Sequence, residues 1–250
     1  MIATEHLIWF LLLALVAEIL GTVGGFGSSL FFVPIAGYFL DFQSVLGITA
    51  LFHVSSNLSK IALFHKGIDK RTVLYLGIPA VLLVSLGAIL SKYIRSDYLE
   101  MALSVFLILF SLFLIIFRQF RVKKRAVNLM AGGAISGFVA GLLGTGGAIR
   151  GMVLASYSYG KEAFIATSAM IDLFIDASRS VVYTANGYVH WHDLYLIPFL
   201  IMVSLLGSYI GKRLLVFISE KQFQLIILFL ILGVGLATLV KPLWQMSQAS

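Results

Sequence analysis

No cysteine occurs among the 250 residues, which excludes disulfides, thiolate metal sites and thiol nucleophiles. Charge is scarce as well. Asp, Glu, Lys and Arg make up 12% of the chain, roughly half the fraction a soluble domain carries, so most of its surface is built to face something other than water. No strand-like alternation of apolar and polar residues recurs, which argues against a membrane β-barrel. The first residues, MIATEHLIWF, lack the basic segment of a cleaved leader and run directly into more apolar sequence, so they are expected to form a retained membrane segment.

What the chain has instead is hydrophobic length. Sixty per cent of it is hydrophobic, with apolar runs at 7–17, 72–91, 99–117, 194–211 and 222–240. Most approach the roughly 20 residues a helix needs to cross a bilayer. The formal charge of +7 does not point to nucleic acid, because the basic residues collect in short loops such as RQFRVKKRA (118–126). The expected class is an all-α polytopic membrane protein.

Within these runs sits GTVGGFGSS (21–29), whose glycines Gly21, Gly24, Gly25 and Gly27 suit a helix interior poorly, at about 1 kcal/mol each relative to Ala. The stretch has an echo 120 residues later, where Gly141, Gly144 and Gly147 of GLLGTGGAIRG match Gly21, Gly24 and Gly27. ALFHVSSNLSK (50–60) likewise lies over AMIDLFIDASR (169–179), pairing Asn57 with Asp176 and Lys60 with Arg179. Gly67 then meets Gly187, Pro79 meets Pro198, and VSLG (84–87) resembles VSLLG (203–207). Polar residues and glycines match better than the apolar filler does, which favours duplication over chance. The halves 1–120 and 121–250 are expected to form two membrane repeats of one transport domain, a common plan for secondary transporters.

Residues 6–40 would span about 50 Å as one helix. They are either a single overhanging helix or a re-entrant hairpin that breaks at the glycines and leaves on the side it entered. With hairpins, the loops at 66–71, 118–125, 161 and 212–221 share one side and hold twelve Lys/Arg against three opposite. Single crossings give nine against six. The positive-inside rule prefers the hairpins. Each half is then a glycine-broken hairpin (about 6–40 and 127–158) plus three spans, and the two repeats are inverted. The spans are expected near 44–65, 72–92, 98–118, 163–185, 193–214 and 221–240, in the cytoplasmic membrane with both termini outside.

Few ionisable residues fall inside these segments: Glu18, His53, Lys60, Arg150, Asp172, Asp176 and Arg179, with Asn57 as a neutral companion. Such residues cost energy in hydrocarbon and therefore face an interior or a wet cavity. His53, Asn57 and Lys60 share one helical face, and Asp172, Asp176 and Arg179 repeat that spacing. A competing reading makes Asp176 and Arg179 a simple i,i+3 neutralising pair. Arg150 follows the second glycine break, either as an anion ligand or as a snorkelling side chain or a partner for Glu18. His65, His190 and His192 are expected at the surface, and Tyr75, Tyr188, Trp191 and Tyr195 in interfacial belts.

A helix starting after a glycine turn points its positive dipole end, with free backbone N–H groups, into the membrane. The expected anion site comprises Gly24, Gly25, Gly27, Asn57, Lys60, Gly144, Gly146, Gly147, Arg150 and Arg179. Glu18, His53, Asp172 and Asp176 are assigned to proton coupling or charge balance. Tight helix packing is the competing use of the glycines.

GTVGGFGSSLFFVP (21–34), with its echo GLLGTGGAIRG (141–151), the helix carrying Asn57 through Lys60 and the turn HKGIDKR (65–71), resembles the sulfite exporter TauE/SafE family, also called the 4-toluene sulfonate uptake permease family. The resemblance covers nearly the whole chain. It implies movement of sulfite, thiosulfate or organosulfonates across the cytoplasmic membrane, with no cofactor and no enzymatic step. Two departures stand out: the second half has no proline where Pro34 stands, and Asp172 and Asp176 make that half more acidic than a pure anion site requires. Two other functions compete. One is a divalent cation transporter using His53, Asp172, Asp176 and Glu18, which Lys60 and Arg179 on the same faces oppose. The other is an intramembrane enzyme with paired carboxylates, for which no nucleophile–base arrangement is present. The expected partners are a small anion and the lipid bilayer, with no nucleic acid and with homo-oligomers possible in principle.

Overall fold

The computed structural model describes residues 4–117, 122–123, 125–157 and 159–217, with six more between 232 and 239. The described residues form helices α1 (Thr4–Gly24), α2 (Ser29–Ala36), α3 (Phe42–Leu63), α4 (Lys70–Ser91), α5 (Ser96–Ile116), α6 (Ala126–Leu143), α7 (Gly147–Ala155), α8 (Lys161–Ala185) and α9 (Leu196–Leu214). A short 3-10 turn at Trp191–Asp193 precedes α9. The span expected near 221–240 lies almost wholly outside the described residues.

The helices start and stop where local chemistry dictates. Asp41 caps α3 by accepting from the Ser44 amide at 3.0 Å, and Asp69 caps α4 through the Arg71 and Thr72 amides. Gly25 and Gly27 take positive φ of 68° and 84° between α1 and α2, and Gly144 takes 79° at the end of α6. Residues with a side chain rarely adopt that backbone, so the breaks fall at glycines. Gly67 and Gly187, matched in the repeat, both sit at φ 83° just after α3 and α8.

The first break overturns the reading of 6–40 as one overhanging helix. After it the chain runs back along α1, so that Phe39 packs edge-on against Phe10 at 5.4 Å. The second hairpin behaves likewise. Beyond α7, Tyr157 donates to the Arg125 carbonyl at 3.3 Å and Ser156 accepts from the Val122 amide at 3.0 Å, beside the start of α6. Tyr159 there meets Asp69, whereas α3 starts at the opposite end, where Gly47 abuts the Tyr188 carbonyl.

By length and apolarity, α1, α4, α5, α6 and α9 are able to cross a membrane. The hairpin arms α1 and α6, of 21 and 18 residues, are thus much longer than the return arms α2 and α7, of 8 and 9. Helices α3 and α8 have the length, at 22 and 25 residues, but carry the polar triplets that lower their apolarity.

Helix α6 lies against α4 through Gly133, Gly137 and Gly141. A Cβ on each would come within 2.1, 2.2 and 2.1 Å of the carbonyls of Leu76, Ala80 and Val84. Small residues permit such backbone approach between membrane helices. The corresponding pair is α1 and α9, with Glu18 against Gly207 and Thr22 against Gly211. Phe138 against Gly87 occupies the same relation 120 residues away in each member. Tyr188 is buried, stacked on Tyr183 with its hydroxyl 3.2 Å from Ser91, so it is not part of an interfacial belt; Trp191 is 90% exposed and fits one.

Candidate functional site

The two hairpin tips meet in the middle of the bundle. Ser29 at the start of α2 lies 3.1 Å from Thr145 in the second break, and Gly147 at the start of α7 touches the Phe26 carbonyl so closely that a Cβ would sit 1.7 Å from it. Between the tips and the central helices α3 and α8 lies a small polar cavity. Its walls include Gly27, His53, Asn57, Lys60, Gly144, Gly146, Gly147, Arg150, Asp172, Asp176 and Arg179, eleven of the fourteen positions singled out from the sequence.

The remaining three lie just behind this wall. Gly24 closes α1, Gly25 offers its carbonyl to Ser168 at 3.2 Å, and Glu18 is fully buried behind Lys60. At Gly144 the group used is the carbonyl, which accepts from Arg179 at 2.6 Å, rather than the N–H expected for an anion. Ser28 and Ser29 at the start of α2 and Gly146 and Gly147 at the start of α7 line the cavity, at the helix ends where the first amides lack an intrahelical acceptor, the Phe31 amide excepted, which bonds the Ser28 carbonyl at 3.0 Å.

Each of the three cations in the wall has a carboxylate partner. Lys60 Nζ meets Glu18 Oε1 at 2.8 Å, and Arg179 meets Asp176 Oδ1 at 2.7 Å. Arg150 engages Asp172 through both guanidinium nitrogens. The pairing of Arg150 with Glu18 weighed from sequence is therefore incorrect: α7 projects Arg150 toward α8, while Glu18 faces α3 and α9. The i,i+3 pair of Asp176 and Arg179 does form. It is also more than a local neutralisation, because Asp176 Oδ2 accepts from Asn57 on α3 at 2.7 Å.

His53 joins the two clusters. Its Nδ1 faces an Arg179 nitrogen at 3.4 Å, and its Nε2 lies 3.1 Å from Ser28 Oγ. A guanidinium only donates, so Nδ1 is the acceptor and the proton resides on Nε2. Ser28 then donates to Glu18 Oε2 at 2.6 Å. The result is a continuous chain from Arg179 through His53 and Ser28 to Glu18.

The sequence reading missed the hydroxyls that hold the charged groups in place. Glu18 Oε1 accepts from Ser56 at 2.7 Å and from Ser208 at 3.0 Å, and Arg150 Nε donates to Ser168 at 3.2 Å. Ser28 and Ser56 were near marked motifs; Ser168 and Ser208 had no signal beyond lying in membrane helices.

One end of the bundle is tied by a polar knot outside the membrane segments. Tyr159 donates to Asp69 at 2.6 Å, Thr72 lies 2.7 Å from the Tyr159 hydroxyl, and the Asp69 amide donates to Thr167 at 3.1 Å. The Tyr159 hydroxyl holds the Asp69 carboxyl below its usual range. Burial, then the bond to Asp69, pushes the Tyr159 phenol up to about 12.

Among the described residues no three His, Asp or Glu side chains gather as metal ligands would. No curated protein matches the chain. The family model for sulfite exporter TauE/SafE matches residues 10–238, so the chain belongs to that family.

Proposed function

We propose that this protein is a secondary transporter that exports a small sulfur-containing anion, such as sulfite, thiosulfate or an organosulfonate, across the cytoplasmic membrane. One observation carries the reading. Two glycine-initiated helices, α2 and α7, and three buried cations, Lys60, Arg150 and Arg179, converge on a single central cavity. Helix N-termini and guanidinium groups are what sulfur oxyanions require. Family membership supports the same substrate class.

In this reading the anion sits between the hairpin tips, bound by first-turn amides and by cations that exchange a carboxylate for the substrate. The halves 1–120 and 121–250 act as inverted repeats whose two arrangements open the cavity to alternate sides. The arginine- and lysine-rich loops at 66–71 and 118–125 lie on the cytoplasmic side, with both termini outside.

The test is flux of sulfite, thiosulfate and a sulfonate in proteoliposomes. Wild-type protein is expected to move at least one of them saturably. Full flux by a Lys60→Ala, Arg179→Ala double variant refutes the site assignment.

A further inference from the structure

The cavity wall carries three cations, each paired with a carboxylate, Arg150 with Asp172 and Arg179 with Asp176 in the wall and Lys60 with Glu18 just behind it, and none of these side chains is more than 14% exposed. His53, held as an acceptor by Arg179, adds no charge in this arrangement. These groups thus sum to no net charge. An anion entering it leaves one uncompensated negative charge in a buried place, which is costly unless something positive arrives as well. Among the described residues no further cation lines these walls, so a proton on one of the carboxylates is the compensating charge the site itself can accept.

The three carboxylates differ in how firmly they are held. Glu18 accepts from Lys60 and from the hydroxyls of Thr22, Ser28, Ser56 and Ser208. Asp176 accepts from Asn57 and from Arg179. Among the described residues Asp172 is engaged by Arg150 alone. Its side chain is also the most accessible, at 14% against 6% for Asp176 and 0% for Glu18. Asp172 borders the central cavity and also a second cleft that it shares with Gly21, Gly25, Lys60 and Ser168.

We propose that transport is electroneutral, each monoanion travelling with one proton carried on Asp172. The inference rests on the anion-transport reading above. A proton from water adds to an Asp172 oxygen and neutralises it. Arg150 then loses its counter-charge and takes an oxygen of the anion. After the anion leaves on the far side, Arg150 expels the proton from Asp172 to water and the pair re-forms. The charged and titratable groups around Asp172 are Arg150 from α7, Lys60 and His53 from α3 with Glu18 of α1 behind them, and Asp176 and Arg179 on its own helix; α6 contributes none among the described residues.

The test uses proteoliposomes containing a pH-sensitive dye. Methanesulfonate is the main probe, because it stays ionised and carries no proton itself, and sulfite is the second. Wild-type protein is expected to acidify the lumen by one proton per methanesulfonate taken up, with a rate unaffected by a potassium–valinomycin potential. Anion affinity is expected to fall about tenfold per pH unit above the Asp172 midpoint, as linkage to one proton requires. Asp172→Asn keeps Arg150 permanently available, so its flux is expected to become potential-driven, proton-free and independent of pH. Asp172→Glu is expected to restore the coupling. Potential-driven flux without acidification in the wild type overturns the proposal and leaves anion transport standing. Full coupling in Asp172→Asn overturns the assignment to Asp172. Absence of flux for both probes and for thiosulfate overturns the transport reading itself. The wild-type stoichiometry and potential dependence decide the electroneutral claim even where Asp172→Asn does not assemble, and retained coupling in Asp172→Glu then decides the residue.

Discussion

The Asn57 side-chain amide donates to Asp176 Oδ2 at 2.7 Å across the α3–α8 contact, and these are the two residues that the internal repeat places in register. If the halves are related by a two-fold axis, it passes through this bond, at the floor of the cavity. Asn57→Leu removes the donor and leaves a buried carboxylate oxygen unsatisfied, a loss of about 1–3 kcal/mol. Thermal unfolding in detergent is expected to show a lowered midpoint, and an unchanged midpoint would mean the bond has no role in joining the halves.

Glu18 and Lys60 form the most enclosed of the three ion pairs, with side-chain exposures of 0% and 6%. Removing one partner from such a pair costs about 3–5 kcal/mol, because the other charge stays buried alone. Glu18→Gln is therefore expected to be strongly destabilised. A Glu18→Gln, Lys60→Met double variant is expected to recover much of that loss. Chemical denaturation of the wild type, Glu18→Gln, Lys60→Met and the double variant measures the coupling, and additive losses would exclude it.

The helical glycines separate into those that something touches and those that nothing does. A Cβ at Gly137 would lie 2.2 Å from the Ala80 carbonyl, whereas at Gly77 it would meet nothing within 4 Å. Gly137→Ala is expected to cost about 1–3 kcal/mol through overpacking. Gly77→Ala is expected to stabilise α4 by up to about 1 kcal/mol. Unfolding midpoints that move in opposite directions are the predicted result.

The Asp69–Tyr159 knot gives stability limits on both sides of neutral pH. Asp69 titrates below its ordinary value of 3.8, so its contribution is present above that value and is lost as pH falls through the lowered one. Tyr159 titrates at about 12 rather than 10.0, so its contribution is complete below 10.0 and is lost as pH rises toward 12. Tyr159→Phe is expected to abolish the decline in the alkaline window. Scanning fluorimetry between these values reads the difference, and an identical alkaline slope in the variant would assign the decline to other groups.

Much of this arrangement was legible in the sequence because polar residues are conspicuous in hydrocarbon. Glu18, His53, Lys60, Arg150, Asp172, Asp176 and Arg179 stood out in apolar helices, and the structure brings them together. Gly25, Gly27 and Gly144 marked the breaks because a positive φ all but requires glycine. Partner choice was not legible. For Arg150 the sequence suggested Glu18 and not Asp172, and only the packing of α7 on α8 reveals the pair that forms. The hydroxyls of Ser168 and Ser208 were invisible for a different reason: serine is tolerated in membrane helices by bonding its own backbone, as Ser204 does with the Ile201 carbonyl at 2.7 Å. Tyr188 misled because tyrosine suits an interface and a buried stack equally well.

The two hairpins are held by joints of unequal stiffness. Helix α6 is pressed on α4 with carbonyls against glycine Cα atoms along Gly133, Gly137 and Gly141, leaving no side chains between to rearrange. Helix α1 meets α9 across the side chains of Glu18 and Thr22, with Ser208 bonded to Glu18. Rotamers yield more easily than touching backbones. The α4–α6 pair is thus expected to behave as a stator and the α1–α9 contact as the compliant bearing, where a charged side chain is itself part of the joint.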